Sequence, residues 1–305
     1  MKSIPKARTG ARGFIVIATL WILAALSGLV LIYLTYVANT AVIVAGSTDR
    51  LQTDALAQAG VELAVFQIAS QGEVSRPTSG TFNARIGSGR VFVIFRSEAA
   101  RIDLNVAPKS LLSGLMVSLG ASPANAANYA DRIIAWRAPT EFGENDPENS
   151  FYRTSGASNL PRHAPFPATE ELWLVRGIPP AMVERMMPYV TVFSNVKEVN
   201  VLDAAPQVLA SLPNATPAGL QSILSHRADP AFDRQSLVGM AGREDATIAG
   251  SRSYRIAVDA ELPNGRRRAV EIVVLLVEEG EEPYRILSWH NASDGSATFH
   301  EVAAR

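Results

Sequence analysis

The 305-residue sequence contains no cysteine, and this absence excludes several kinds of stabilisation and chemistry. Without cysteine there is no disulfide, no thiolate zinc site and no cysteine nucleophile, so an exported domain would depend on its packed core or on a bound ion. Histidine is scarce too: there are four, and no two are spaced as the His-x-x-x-His pair that commonly binds zinc. Zinc chemistry is therefore not expected.

Strong charge and catalytic motifs are missing as well. The formal net charge is −1, which gives no long-range field for nucleic acid or acidic substrates. The sequence has no Gly-x-Ser-x-Gly elbow, no glycine-rich phosphate loop with lysine and no His-Glu-x-x-His motif. These absences predict a protein that is not an enzyme.

Charge is also absent from one long stretch near the N-terminus. Residues 13–48 carry none, and no proline lies between Pro5 and Pro77. About 20 apolar residues suffice for a membrane-spanning helix, so we expect one at 14–37. Basic residues precede this run and acidic residues do not, which predicts a single pass with a cytoplasmic N-terminus. Helical spacing of apolar residues continues beyond it and extends the predicted helix to 14–70.

Three interpretations of this N-terminus compete. A cleaved signal peptide would have a shorter apolar run and a clearer small-x-small site. A plain signal anchor is compatible with the length. The third is a prepilin-type leader, residues 1–13, in which a short basic peptide ends at Gly13 and the apolar helix begins at Phe14.

The remaining sequence predicts an α+β fold with a small antiparallel sheet. Two hairpins are expected: Thr81–Ile86 with Arg90–Arg96, and Ser253–Leu262 with Arg266–Val277 around Asn264-Gly265. Arg101–Leu104 could extend the first pairing, and Tyr284–His290 is a further strand. About 150 Ala- and Leu-rich residues separate the two strand blocks. We prefer one sheet interrupted by an inserted all-α domain over three modules in series, because each block alone would form a marginal sheet.

The helical region contains helix-hairpin-helix-like repeats. Ile102–Leu112 resembles Val199–Leu209, and hairpins are expected at Gly177–Pro180 and Asn214–Pro217. Helix capping is the expected role of Asn105, Asn200 and Asp203, and a place in the core is expected for Trp136 and Trp173. Such hairpins can bind DNA through backbone N–H groups. Here prolines remove donors and residues 101–245 carry 12 basic and 15 acidic residues, which favours packing over nucleic-acid binding. A membrane-anchored helix-hairpin-helix DNA-binding protein for DNA uptake remains the alternative function, and an exported, anchored enzyme is a further class.

An acidic loop at 141–152 is the one candidate metal site. Its carboxylates are oxygen ligands of the type calcium prefers, although the spacing is not that of an EF-hand. The candidate ligands are Glu141, Glu144, Asp146 and Glu148. A solvated acidic loop without metal is the alternative interpretation.

Taken together, these features resemble the minor pseudopilin K family of the bacterial type II secretion system. The resemblance rests on the Arg12-Gly13-Phe14 junction, the long helix, Ile102–Pro108, the loop after Trp136 and the segment from Val199. It departs from the family at Arg137–Pro139, where an Asp-x-Asp often follows the tryptophan, and at Val106, where threonine is usual. The implied organisation is a leader (1–13), a long helix (14–70), a pilin-like α+β domain in two parts (71–104 and 251–290), an inserted α-helical domain (105–250) and a C-terminal tail (291–305).

The resemblance also implies processing, partners and location. A prepilin peptidase would cleave between Gly13 and Phe14, and the new Phe14 amine would be methylated. The mature chain would sit in the inner membrane with a periplasmic C-terminal domain. It would assemble with minor pseudopilins I and J, other pseudopilins and the inner-membrane secretion platform, at the tip of a short pseudopilus that supports export across the outer membrane. Calcium sites are known in the family.

One position bears on placement in the fibre. Most pilins and pseudopilins have glutamate at the fifth mature position, where it is thought to pair with the N-terminal amine of a neighbour. Here that position is Ala18. A buried ammonium without a counter-charge is costly, so a subunit lacking this carboxylate fits best where no such pairing is needed. Ala18 and the bulky inserted domain both favour the end of a fibre.

Overall fold

The structure is a computed structural model that describes residues 11–72, 75–139, 146–156, 159–229, 231–280 and 282–292. The chain divides after Ala55 into two compact units. The first holds most of the N-terminal helix, and the second holds the helix end, the sheet and the helical region.

Helix α1 spans Ala11–Ala69. The predicted helix begins at Phe14 and ends near Ala69, so the predicted and observed helices differ only at the N-terminal end. Its segment Phe14–Val37 has a mean hydropathy of 2.7 and none of it is buried by protein. Large side chains such as Phe14, Trp21 and Tyr33 are accordingly exposed. Exposed apolar surface of this size needs lipid or other subunits to cover it, and the segment fits a membrane anchor.

A five-stranded antiparallel sheet lies in the second unit, in the order β1-β2-β7-β8-β9. The strands are β1 (Ser79–Ile86), β2 (Gly89–Ser97), β7 (Ser253–Glu261), β8 (Arg267–Leu276) and β9 (Tyr284–Ala292). The predicted antiparallel sheet is therefore confirmed. Strands from both sides of the helical region meet where Val93 of β2 pairs with Val258 of β7.

The C-terminal part of α1 packs against one face of this sheet. Ala57, Val61, Ala64 and Ile68 of the helix are buried together with the inward-facing residues of β2, β7 and β8. Gly60 allows the close approach, because a Cβ there would lie 2.7 Å from the Val258 side chain. A residue that weakens an isolated helix is thus required for packing.

The region between β2 and β7 is mostly helical. Its helices are α2 (Lys109–Ser118), α3 (Pro123–Arg137), α4 (Pro147–Thr154), α5 (Pro180–Met186), α6 (Pro206–Leu209), α7 (Pro217–His226) and α8 (Arg234–Met240). Four short strands accompany them: β3 (Ile102–Asp103), β4 (Val190–Thr191), β5 (Val199–Asn200) and β6 (Ala246–Thr247). A separate apolar core holds these elements together, with Leu111, Leu115, Ile133, Tyr152 and Leu172 fully buried in it.

Two segments of this region fold alike. Ile102–Asp103 pairs in parallel with Val190–Thr191, and Val199–Asn200 pairs in parallel with Ala246–Thr247. After each strand a side-chain oxygen, from Asp103 or Asn200, accepts a backbone N–H two residues on at 2.8 Å.

Several sequence-based expectations are wrong. Arg101–Leu104 does not extend the main sheet, because β3 takes Val190–Thr191 as its partner. The capping roles are wrong too: Pro108 and Ala205 occupy the N-cap positions of α2 and α6. Asn105 instead exchanges hydrogen bonds with the backbone of Phe166, at 2.6 and 3.0 Å. Trp136 is buried as expected, but Trp173 is 48% exposed.

Candidate functional site

The residues predicted to be processed, Gly13 and Phe14, lie at the start of α1. Gly13 and Phe14 are both helical, and the Phe14 side chain is 75% exposed. Ala18 follows Phe14 by one helical turn, so the two lie on the same side of the helix. The leader residues before Ala11 lie outside the described residues. The helix thus presents an open apolar side at the position where most pilins carry a glutamate.

Of the four candidate calcium ligands, Glu141 and Glu144 lie outside the described residues. Asp146 and Glu148 lie together at the start of α4, where Asp146 Oδ1 accepts the Glu148 N–H at 2.9 Å. Glu148 Oε2 is 2.6 Å from Arg132 Nη1, so this carboxylate already has a counter-charge. Within the described residues, no group of three or more His, Asp and Glu side chains could hold a metal.

Two carboxylate oxygens at this position nevertheless have no hydrogen-bond partner among the described residues. Asp146 Oδ2 and Glu148 Oε1 are both buried from solvent. His163 Nε2 lies 3.0 Å from Asp146 Oδ2 and 3.2 Å from Asn149 Oδ1. Buried oxygens without partners are unusual, and a hard cation would satisfy them.

The two hairpins make packing and capping contacts. Gly177 has a φ of 88°, which suits glycine, and the turn leads through Pro179 into α5. Ile178 and Met182 on either side of the turn are buried. In the second hairpin, the Thr216 hydroxyl caps α7 by accepting the Gly219 N–H at 3.1 Å.

A buried ion network joins the sheet to the helical region, and sequence analysis missed it. Glu98, only 1% exposed, lies in the 3₁₀ turn Glu98–Ala100 after β2. Arg255 of β7 donates Nε to Glu98 Oε1 at 2.8 Å, Nη2 to Glu98 Oε2 at 3.2 Å, and Nη1 to Glu271 Oε1 at 2.5 Å. The Thr191 hydroxyl of β4 also donates to Glu98.

The charges in this network shift one another's titration. Burial by itself raises the pKa of Glu98, but the positive charges of Arg255 and Arg101 outweigh it and the pKa is lowered. Burial lowers the pKa of Arg255, whereas Glu98 and Glu271 raise it, and the net direction is upward. Both groups therefore remain charged inside the fold. The only signal in the sequence was a single glutamate directly after the apolar strand β2. A glutamate is rarely buried at such a position unless its charge is paired.

Strand β9 forms an exposed edge of the sheet. It pairs with β8, and no described strand pairs with its other side. Trp289 lies opposite Ile272 and Ile286 lies opposite Val274, so both extend the face that α1 covers. They are 42% and 49% exposed. An unpaired strand edge beside exposed apolar side chains is a common feature of protein-binding surfaces.

Comparison with known proteins gave a match to a family and matches to solved structures. Residues 97–195 match the family described as Type II secretion system (T2SS), protein K. The fold resembles that of a chain in the crystal structure of the GspK-GspI-GspJ complex from the type 2 secretion system of enterotoxigenic Escherichia coli. That match has a TM-score of 0.57 at 15% sequence identity and covers 81% of this chain and 98% of the solved one. No curated protein sequence matched the chain.

The family match is confined to residues 97–195, and the structural match shows that the chain shares the fold of a chain in that complex, with an apolar N-terminal helix and an antiparallel sheet. Both findings agree with the resemblance to the minor pseudopilin K family that the sequence shows.

Proposed function

We propose that this protein is a non-enzymatic minor pseudopilin at the tip of the type II secretion pseudopilus. It joins the other minor pseudopilins to initiate pseudopilus assembly and so supports export of proteins across the outer membrane. The family match at residues 97–195 carries the proposal. The inserted region, with its helix-hairpin-helix-like repeats, acts in packing and assembly.

The N-terminal helix supplies the anchor in this proposal. A prepilin peptidase cleaves between Gly13 and Phe14, the Phe14 amine is methylated, and Phe14–Val37 crosses the inner membrane. The four basic residues before Gly13 keep the N-terminus cytoplasmic and the C-terminal domain periplasmic. The uncovered apolar surface of Phe14–Val37 supports this role, since lipid covers it before assembly and neighbouring helices cover it afterwards.

Minor pseudopilins I and J are the proposed direct partners. The solved structure with a similar fold is a complex named for GspK, GspI and GspJ. In this chain the edge of β9, with Ile286 and Trp289, offers a surface where a partner can pair with the strand and cover apolar side chains.

A structural calcium ion is part of the proposal. Asp146 and Glu148 provide two buried oxygens without a hydrogen bond among the described residues, and His163 Nε2 lies 3.0 Å from the Asp146 oxygen. Calcium takes six to eight oxygen ligands, so these two could supply only part of its shell. A bound ion here would hold the start of α4 and would have no catalytic role.

Co-purification of the full chain with candidate I and J pseudopilins tests the function. The wild type should form a stable three-component complex in detergent. The double variant Ile286→Ser with Trp289→Ala should lose most of it, because interface tryptophans commonly contribute 2 kcal/mol or more, about a thirty-fold change in affinity. Trp173→Ala is the matched control, since Trp173 is similarly exposed, at 48%, but lies in the helical region. Failure of the wild type to bind either partner would contradict the proposal.

A further inference from the structure

Arg101 is an unpaired cation beside a cavity. It directly follows the 3₁₀ turn Glu98–Ala100, and its backbone N–H donates to Glu98 O at 3.1 Å. Among the described residues, its guanidinium makes neither a hydrogen bond nor an ion pair. Two cavities, of about 90 and 430 Å³, open onto this side chain, and Arg255 and Glu271 line both.

The ion pairs beside Arg101 do not include its guanidinium. Arg255 is already held by Glu98 and Glu271, in contacts of 2.8 and 2.5 Å. Arg96 is a further positive charge close enough to act on Arg101. Glu98 and Glu271 attract the Arg101 charge, but neither forms an ion pair with its guanidinium. Burial, reinforced by repulsion from Arg255, lowers the pKa of Arg101 to about 10, although the charges of Glu98 and Glu271 act in the opposite direction.

Two other arginines of the helical region have structural roles, because their guanidinium groups donate hydrogen bonds to backbone carbonyls. Arg137 donates Nη2 to Ala107 O at 2.7 Å and a second nitrogen to Leu104 O. Arg185 donates to Leu119 O at 2.8 Å. Both tie loops to helices through backbone carbonyls. Arg101 has no such partner, although the guanidinium group offers five N–H donors.

The larger cavity has a wall that suits a short carboxylate. Apolar atoms come from Met187, Val190, Phe193 and Leu287. Ser288 Oγ and His290 Nδ1, 2.9 Å apart on β9, add hydrogen-bonding groups to the same wall. A volume of about 430 Å³ is within the range of ligand sites. The cavity therefore combines one free cation, polar side chains and an apolar surface.

Negative charge near the cavity restricts the anion it can hold. Glu271 lines it, and so does the exposed Glu170, whose Oε2 is 3.3 Å from the Thr169 hydroxyl. Both carboxylates repel a dianionic phosphate about twice as strongly as a monocarboxylate, and a single negative charge is enough to pair with Arg101. The planar guanidinium also matches a carboxylate with two parallel hydrogen bonds.

We propose that the cavity beside Arg101 binds a monocarboxylate with a short apolar stem, the chemistry of a glutamate side chain. Arg101 binds the carboxylate, and Met187 and Phe193 contact the stem. Glu170, at the rim, weakens binding by repulsion. This site does not depend on the proposed place of the protein in the pseudopilus.

Arginine side-chain NMR of the full chain in detergent micelles tests the site. Propionate is the probe, its neutral amide propionamide is the charge control, and phosphate at equal ionic strength is the competing anion. Propionate should shift the Arg101 Nε–Hε signal saturably, propionamide should not, and phosphate should bind more weakly. Acetyl-glutamate amide represents a glutamate side chain of a protein, and propionate represents a free carboxylate. Binding of either probe through Arg101 supports the site. The probe that binds more tightly identifies whether the natural ligand is a protein side chain or a free acid.

Three variants complete the test, with propionate binding followed by melting temperature. Arg101→Gln should abolish the propionate-induced rise in melting temperature, because it removes the cation that binds the carboxylate. Glu170→Gln should tighten binding several-fold, and Arg285→Gln should leave it unchanged. The proposal is overturned if Arg101→Gln binds propionate normally, if propionamide binds equally well, or if phosphate binds more tightly than propionate.

Discussion

Arg255 and Glu98, far apart in the sequence, form a two-fold hydrogen-bonded ion pair at 2.8 and 3.2 Å. The pair connects the central strand β7 to the turn where the chain leaves the sheet for the helical region. Thr191 of β4 donates to the same carboxylate. One buried charge thus fixes three elements that are distant in sequence, and this arrangement predicts how the fold responds to its loss.

Glu98→Gln should destabilise the fold by about 3–5 kcal/mol, because it leaves the largely buried Arg255 with only Glu271 as a charged partner. Chemical unfolding of the full chain in detergent measures this change. The control is Asp131→Asn, which breaks the Lys109–Asp131 pair of 2.6 Å. Both of its side chains are about half exposed, so that change should be about 1 kcal/mol or less. Equal effects from the two substitutions would show that the Glu98 pair is not special.

The same carboxylate predicts a pH dependence. The folded pKa of Glu98 is lowered from the ordinary value of 4.5, so the unfolded chain takes up its proton first as the pH falls. The stabilisation is therefore fully present above pH 4.5 and is lost progressively below it, as the pH falls through the folded pKa. Unfolding should be measured between pH 7 and pH 3. The difference in the free energy of unfolding between the wild type and Glu98→Gln should become smaller as the pH falls. A difference that stays constant over this pH range would contradict the prediction.

Much of the sheet was predictable because its signals are local. The turn at Asn264-Gly265, with a φ of 79° at Gly265, and the alternation on either side placed β7 and β8 within a residue or two. The partner of β3 was not predictable in this way. Ile102 pairs with Val190, and no local pattern specifies a parallel partner so distant in sequence.

The ion network was missed for the same reason. Glu98 and Arg255 are ordinary charged residues in sequence, and only the folded sheet brings them together. Asn105 was wrongly expected to cap a helix, because an asparagine before a proline-led helix is typical of a cap. In the structure its side chain bonds to Phe166, which the sequence could not indicate.

Two helical glycines should respond oppositely to substitution by alanine. A Cβ on Gly114 of α2 would lie 2.2 Å from Ser211 O, a backbone atom that cannot move aside easily. Gly114→Ala should therefore cost about 1–3 kcal/mol through overpacking. Gly239 of α8 has nothing within 4 Å, so Gly239→Ala should stabilise by about 0.5–1 kcal/mol. Thermal unfolding of the two variants side by side measures both, and stabilisation by Gly114→Ala would refute the packing of α2 against the segment after α6.

Removal of calcium should lower the melting temperature if the ion binds at the start of α4. Free calcium at 100 times its dissociation constant adds about 2.7 kcal/mol to the free energy of unfolding. For a domain of this size, that raises the melting temperature by roughly 5–10 °C. The comparison is the full chain in EDTA and in calcium, with magnesium as the control ion. Asp146→Asn should reduce the shift, whereas Asp233→Asn, which alters a similar N-cap at α8, should leave it intact. An equal shift in both variants would place any calcium elsewhere.

Ala18→Glu tests whether the absent carboxylate determines the position in the fibre. The substitution restores the group that most pilins offer to a neighbour's N-terminal amine, and breaking such a buried pair costs roughly 3–5 kcal/mol. Folding should be unaffected, because Ala18 lies on α1 in the segment that no protein covers. The variant should enter the fibre at positions other than the tip, so its amount relative to minor pseudopilin I in sheared pseudopili should rise and secretion should fall. Gly13→Ala is the reference for loss of processing. This variant should keep its leader, as N-terminal sequencing would show, and secretion should be blocked altogether. An Ala18→Glu variant with unchanged stoichiometry and full secretion would remove Ala18 as a determinant of tip placement.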